Sequence, residues 1–153
     1  MQALIQRVSQ ASVSVDGKVI GTIGPGLVVF VGVSLEDNED DARYLAEKII
    51  GLRIFSDADG KFNLSVQDVS GRVLAISQFT LLANTRKGRR PSFTRAAAPE
   101  KAQALIAVMI DVLRASGLSV ETGKFAAHML VEIHNDGPVT ISIDSADRFN
   151  PRK

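Results

Sequence analysis

With 153 residues, 45% of them apolar and 23% charged, the chain has the size and composition of one globular domain that buries about two thirds of the surface its unfolded form exposes. Its 18 basic and 17 acidic side chains leave a net charge of +1, so global charge predicts nothing about a partner, and the absence of cysteine excludes disulfides, thiolate zinc sites and cysteine nucleophiles while fitting a cytoplasmic location. The opening MQALIQRVSQ does not read as a signal peptide, and the strongest apolar run, GLVVFVGV at 26–33, falls far short of the roughly 20 residues that cross a bilayer, so no membrane partner is expected. Residues 3–15 alternate in places, turn at Asp16-Gly17 and continue into KVIGTIG, the pattern of a hairpin. GLVVFVGV is apolar on both faces, as a central strand covered from two sides would be. A helix is predicted from Asp37 or Asn38, either of which can cap it, with Ala42, Leu45, Ile49 and Leu52 at helical spacing.

RIF (53–55), KFNLSV (61–66) and RVLAISQFTLL (72–82) read as strands, separated by turns at Asp59-Gly60 and Ser70-Gly71. A second helix begins near Pro99 and carries Ala102, Leu105, Ile106, Met109 and Leu113 on one side until Gly117. AHMLVEIH and the segment after NDGPVT then form two strands, with Ala127, Met129, Val131 and Ile133, and later Val139, Ile141 and Ile143, facing the same way. NDGPVT (135–140) between them resembles a hairpin turn, but Asn-Asp-Gly suffices for the bend and Pro138 removes a ladder donor, so the proline must serve another purpose. The sum is an α+β domain over residues 1–145, a mainly antiparallel, curled or barrel-like sheet with two packed helices, followed by a loose tail at 146–153.

The familiar reactive constellations are missing. His128 and His134 stand six apart on a predicted strand, on one face but about 20 Å from each other, so they do not share a metal and read as solvated. DADG (57–60) is a plain turn rather than a calcium loop, and no metal or other cofactor is expected. No nucleophile elbow and no phosphate-binding glycine loop is present. Ser77, Gln78 and Thr80 interrupt an otherwise apolar strand, where each buried polar group costs about 1–3 kcal/mol unless hydrogen-bonded. Next comes ANTRKGRRPSFTR (83–95), which holds Arg86, Lys87, Arg89, Arg90 and Arg95 and no acid. The rest of the chain keeps 13 basic against 17 acidic residues, so positive charge concentrates at this loop, either as a solvated surface or as a rim for nucleic-acid phosphates.

SQFTLLA (77–83), KGRRPSF (87–93) and NDGPVT (135–140), with ALIQRVSQASVSVDG near the start and LRIFSDADGK (52–61), resemble the D-aminoacyl-tRNA deacylases in order from the first residues to about Ile143. GKFAAHM (123–129) is similar to a segment of the same family, with His128 where an acidic residue is usual. The resemblance implies hydrolysis of the ester joining a D-amino acid, or glycine, to the terminal adenosine of tRNA. It also implies a homodimer in which a cis Gly137-Pro138 of one subunit enters the active site of the other and clashes with the L-form. On this basis the backbone N–H of Phe79, with that of Thr80, stabilises the oxyanion while Ser77 and Gln78 shape the site, and Thr80 as a nucleophile is a secondary possibility. Phe125 and Met129 would line the adenosine pocket, and Arg86, Lys87, Arg89 and Arg90 would hold acceptor phosphates. A non-catalytic RNA-binding module using the same loop is the rival reading, and a small-molecule-binding domain a third.

Overall fold

The computed structural model describes residues 1–150. Strand β1 (Gln2–Val15) turns at Asp16 and Gly17 into β2 (Lys18–Ile23), forming the expected hairpin. One edge of β1 is shared: its first half pairs with β3 (Gly26–Gly32) from Gln2↔Gly32 to Val8↔Gly26, and its second half with β2 from Ala11↔Ile23 to Val15↔Lys18. Its other edge pairs antiparallel with the long strand β8 (Leu130–Asp144). On the far side of β3 lie β6 (Arg72–Ser77) and then β7 (Val120–Thr122), both parallel to their neighbours.

The sheet is mainly antiparallel, as expected, with β6 and β7 added in parallel beside β3. Parallel neighbours need crossover connections of a dozen or more residues, and helices α1 (Glu39–Gly51) and α2 (Pro99–Ala115) lie in those crossovers. The sheet also curls toward closure: a Cβ on Gly21 of β2 would lie 3.1 Å from the carbonyl oxygen of Thr122 in β7, so glycine is what lets the two strands approach. A short separate ribbon pairs β4 (Phe55–Ser56) with β5 (Phe62–Leu64).

Two apolar cores explain the strand sequences. On the convex face, Ala42, Leu45 and Ile49 of α1 and Leu105, Met109 and Leu113 of α2 pack on Ile5, Leu27, Val29, Val31 and Val73. Inside the curl, Val8, Val13, Val28, Leu74 and Ile76 form the second core. β3 is apolar at every position because its odd residues face one core and Val28 faces the other, each fully buried side chain stabilising the fold by about 1.5–3 kcal/mol. Asn38 caps α1 with a capping box completed by Asp41, and Pro99 opens α2 at its first turn, as predicted.

Three segments depart from the sequence reading. The strand predicted over 72–82 ends at Ser77 and gives way to a 3-10 turn, Phe79–Leu82, so Thr80 is exposed rather than buried in a central strand. NDGPVT is not a hairpin turn: β8 runs through it, and between Val8↔Asn135 and Gln6↔Thr140 four residues of β8 face the single Arg7 of β1. That excess of three is odd, so it reverses the faces. Val131 and Ile133 pack on the inner core, whereas Val139, Ile141 and Ile143 pack on the helical one. Finally, the start of the tail expected to be loose at 146–153 is folded: Ser145–Phe149 form a 3-10 turn with Arg148 3.4 Å from Asp41 and the Ser145 N–H donating to the Met1 carbonyl at 2.8 Å. Residues 151–153 lie outside the described residues.

Candidate active site

The site begins where β6 ends. The Gln78 N–H donates to the Val31 carbonyl at 2.7 Å as a last tie to β3, and the 3-10 turn follows with its first bond from Leu81 N–H to Gln78 C=O. The amides of Phe79 and Thr80 precede that bond and have no partner in the turn, as at the start of any helical segment. The Gln78 side-chain amide donates to the Thr80 hydroxyl. Phe79 is 54% exposed, and Phe93 meets its ring edge-on with centroids 5.0 Å apart.

Beside this lip lies a cleft of about 550 Å³. Ser77, Gln78 and Phe79 line one side, Phe125 and Met129 another, and Ile106 of α2 contributes apolar wall. Phe125 is presented by a tight turn in which the Ala127 N–H reaches the Lys124 carbonyl at 3.2 Å and Ala126 adopts φ 61°, a left-handed conformation that costs a non-glycine residue about 1–2 kcal/mol. Among the described residues the only ionisable side chain on the cleft wall is His128, so the cleft offers shape and backbone dipoles rather than a charged pair. His128 is exposed, as expected, yet it belongs to the cleft rim; His134 instead contacts Gln10 on β1. The DADG segment is a turn in which the Asp57 carboxylate accepts the Asp59 and Lys61 amides, and the Lys61 bond foremost holds its pKa below the usual carboxylate value.

The Gly137-Pro138 corner stands on the β8 bulge, exposed, with a cis peptide bond, and neither residue lines the cleft of its own chain. Sequence reasoning missed the residue that fixes it. Arg7, the single residue of β1 opposite the bulge, donates from Nε to the Asp136 carbonyl at 2.9 Å and from Nη1 to the Ile54 carbonyl at 2.7 Å, while its guanidinium lies 5.3 Å from the Phe62 ring centroid. The Asn135 side chain closes the bulge from within, accepting from the Val139 N–H and donating to the Thr140 hydroxyl, both at 2.9 Å. Gly137 sits at φ 135°, and a Cβ there would lie 2.8 Å from Val139 Cγ2 and 3.0 Å from Arg7 Nη2, so no other residue fits without displacing the corner. Only the unpaired ladder partners give Arg7 away, and they appear once β8 is laid along β1.

The basic loop is closed by a two-bond bridge between Asn84 and Ser92 at 2.8 and 2.9 Å. Arg86, Lys87, Arg89 and Arg90 project from it, exposed, and none of them forms a salt bridge among the described residues. Phe93, on the return limb, ties the loop to the lip through Phe79. Of the predicted site residues, then, the cleft gathers Ser77, Gln78, Phe79, Phe125 and Met129; Thr80 adjoins it without lining it, and the corner and the loop lie outside.

A family model described as D-Tyr-tRNA(Tyr) deacylase matches residues 4–144. A relative named D-aminoacyl-tRNA deacylase in Dehalococcoides mccartyi strain CBDB1 is 60% identical over 152 residues, covering 99% of each chain. Another of that name in Thermotoga petrophila is 56% identical over 149 residues, covering 97% of this chain and 100% of that one. Among solved structures, the c-Myc DNA Unwinding Element Binding Protein shares 41% identity and superposes with a TM-score of 0.88 over 94% of this chain and 98% of that one. A probable eukaryotic D-amino acid tRNA deacylase, 16% identical, shares the fold with a TM-score of 0.83 over the same shares of the two chains. The curled mixed sheet under two helices is thus the architecture of the aminoacyl-tRNA deacylases. The chain belongs to the D-aminoacyl-tRNA deacylase family, as the sequence resemblance implied.

Proposed function

We propose that this chain hydrolyses the ester between a D-amino acid, or glycine, and the terminal adenosine of tRNA, acting as a homodimer in the cytoplasm. The observation that carries this reading is a cleft whose lip offers free amides and whose walls lack the paired side chains of a nucleophilic hydrolase. An aminoacyl ester is already activated and has a neighbouring ribose hydroxyl, so positioning, water and oxyanion stabilisation suffice. Water adds to the carbonyl carbon, the Phe79 N–H, aided by that of Thr80, stabilises the resulting oxyanion, and the ester C–O bond breaks as the ribose oxygen takes a proton. One such donor contributes about 10²–10³ in rate. Ser77 and Gln78 shape the lip, and Phe125 and Met129 stack on the adenosine. Thr80 is the weaker candidate for nucleophile, because the partner of its hydroxyl is an amide donor, which takes no proton.

Selectivity comes from the partner subunit. A corner that is exposed, braced by Arg7 and absent from its own cleft is suited to entering another copy's. Its main-chain atoms would occupy the side on which an L side chain leaves the α-carbon, and glycine, having no side chain, would pass. Arg86, Lys87, Arg89 and Arg90 hold the acceptor phosphates without reading sequence. The likeness to a protein described as binding a DNA element, with the exposed basic loop, favours one rival, a non-catalytic nucleic-acid-binding module. D-tyrosyl-tRNA and L-tyrosyl-tRNA presented to the purified protein separate the two: loss of the D-ester alone is expected, and persistence of the D-ester removes the hydrolytic reading.

A further inference from the structure

A second hollow of about 300 Å³ adjoins the cleft and shares Ser77, Ile106, Phe125 and Met129 with it, so the same aromatic wall serves both. Its outer side is polar. Gln103, Asp111 and Arg114 of α2 fall on one helical stripe, four and three residues apart in steps through Ala107, and Lys124 closes the hollow from the segment after β7. Asp111 and Lys124 take part in no salt bridge among the described residues, although both signs are present. Arg114 donates to the Val120 carbonyl at 3.0 Å, which fixes its guanidinium at the rim and leaves further N–H groups free.

We propose that this hollow binds the penultimate nucleotide of the acceptor end, a cytidine, while the terminal adenosine fills the cleft; the proposal rests on the reading that the cleft takes the adenosine. The chemistry of the lining fits a pyrimidine nucleotide. A free carboxylate at Asp111 accepts from the exocyclic N4 amino group of cytosine, and the Gln103 amide supplies donors for its ring acceptors. Lys124 and Arg114 suit the phosphodiester that links the two nucleosides. Phe125, which lines both hollows, is placed to stack on a base, the usual means by which single-stranded RNA ends are held. The volume is little over half that of the cleft, in keeping with a pyrimidine beside a purine. Because the terminal cytidine-adenosine step is common to all tRNAs, such an anchor would register the ester at the lip without regard to which tRNA carries it.

Two soluble esters test this: 3′-O-D-tyrosyl-adenosine, and the same ester on cytidylyl-(3′→5′)-adenosine. The wild-type protein is expected to hydrolyse the dinucleotide ester with a KM about tenfold lower and a similar kcat. In Asp111→Ala and Lys124→Gln that advantage shrinks about fivefold or more, while kcat/KM for the adenosine ester stays within about twofold. A uridylyl-adenosine ester should lose the Asp111-dependent part only. Equal efficiency of the two esters in the wild type, or equal loss on both in the variants, overturns the proposal. Calorimetric binding of adenosine and of uncharged cytidylyl-adenosine reads the hollow independently of chemistry. A dinucleotide advantage abolished by both variants, with no ester cleaved, upholds the hollow and defeats only the hydrolytic reading; equal affinities defeat the hollow.

Discussion

The cleft is walled by side chains, Phe125 and Met129 against Ile106, with backbone donors at its lip; the corner is an exposed stretch of β8 whose supporting side chain, Arg7, is bonded through Nε and Nη1 behind it. A side-chain surface adapts by changing rotamers, whereas a braced stretch of main chain does not. On the proposed mechanism, the chemistry sits where substrates share a structure and the stereochemical test where an unyielding surface is needed. On that reading a second copy supplies the corner, since neither Gly137 nor Pro138 lines the cleft of its own chain.

If that division holds, damage to the two regions should be separable. The largest effect is expected from Phe79→Pro, which removes the lip amide at a position where a turn tolerates proline. It should lower kcat for D-tyrosyl-tRNA by about 10²–10³ without admitting the L-ester, whereas Phe79→Leu, which keeps the amide, should cost less than about tenfold. Single-turnover rates on both esters decide this, and a Leu variant as slow as the Pro variant would assign the effect to the ring instead. Gly137→Ala should do the reverse: its Cβ would be driven against Val139 and Arg7, shifting the corner, so hydrolysis of the L-ester should rise about tenfold with the D-rate nearly kept. Arg7→Met, which releases the Asp136 and Ile54 carbonyls while keeping a long apolar stem over Phe62, should give a smaller change of the same kind. Equal loss on D- and L-esters in either corner variant would erase the distinction between the regions.

Arg89→Ala touches neither half and should weaken all tRNA substrates alike, lowering the salt slope of binding by about one in a titration of log affinity against log salt. The smallest effect concerns the frame that anchors the end of β8. Burial alone would raise the Asp41 pKa, but the Asn38 amide, the Ser145 hydroxyl, the Met1 ammonium and Arg148 together hold it below the usual carboxylate value. A depressed folded-state pKa contributes stability that is complete above the unfolded value near 4 and is lost as pH falls through the folded value. Asp41→Asn should therefore melt about 2–4 °C lower at pH 7 and show less further loss near pH 3, as thermal melts at the two pH values would report.

The helices were legible because local signals agreed with the packing: Asn38 and Pro99 mark their starts, and the apolar spacing names the buried faces. β3 was legible for the same reason, since a strand apolar on both sides has one place to go. The errors came from signals that are locally valid and overruled at long range. Asn-Asp-Gly describes a tight hairpin well, but β1 is long enough to pair with β8 on both sides of it, so the segment became a bulge. The apolar residues after Ser77 read as continued strand, yet no neighbour remains to pair them once β3 has ended at Gly32. Nothing in the sequence sets Arg7 apart within β1, because its task exists only in the three-dimensional pairing. Of the site, the motif segments were readable and the cleft they build with α2 was not, because Ile106 has the spacing of a core residue.

A bulge flanked on both sides by paired strand has no hinge. The peptide at 137–138 is thus mounted like the fixed jaw of a gauge: it rides on the same ladder that pairs Gln2 with Asp144 and Val13 with Val131, and the paired strand on either side holds its projection from the sheet. If the corner is the proposed stereochemical stop, a substrate measured against it must adjust itself or leave, and the tolerance of the measurement is the stiffness of the barrel wall.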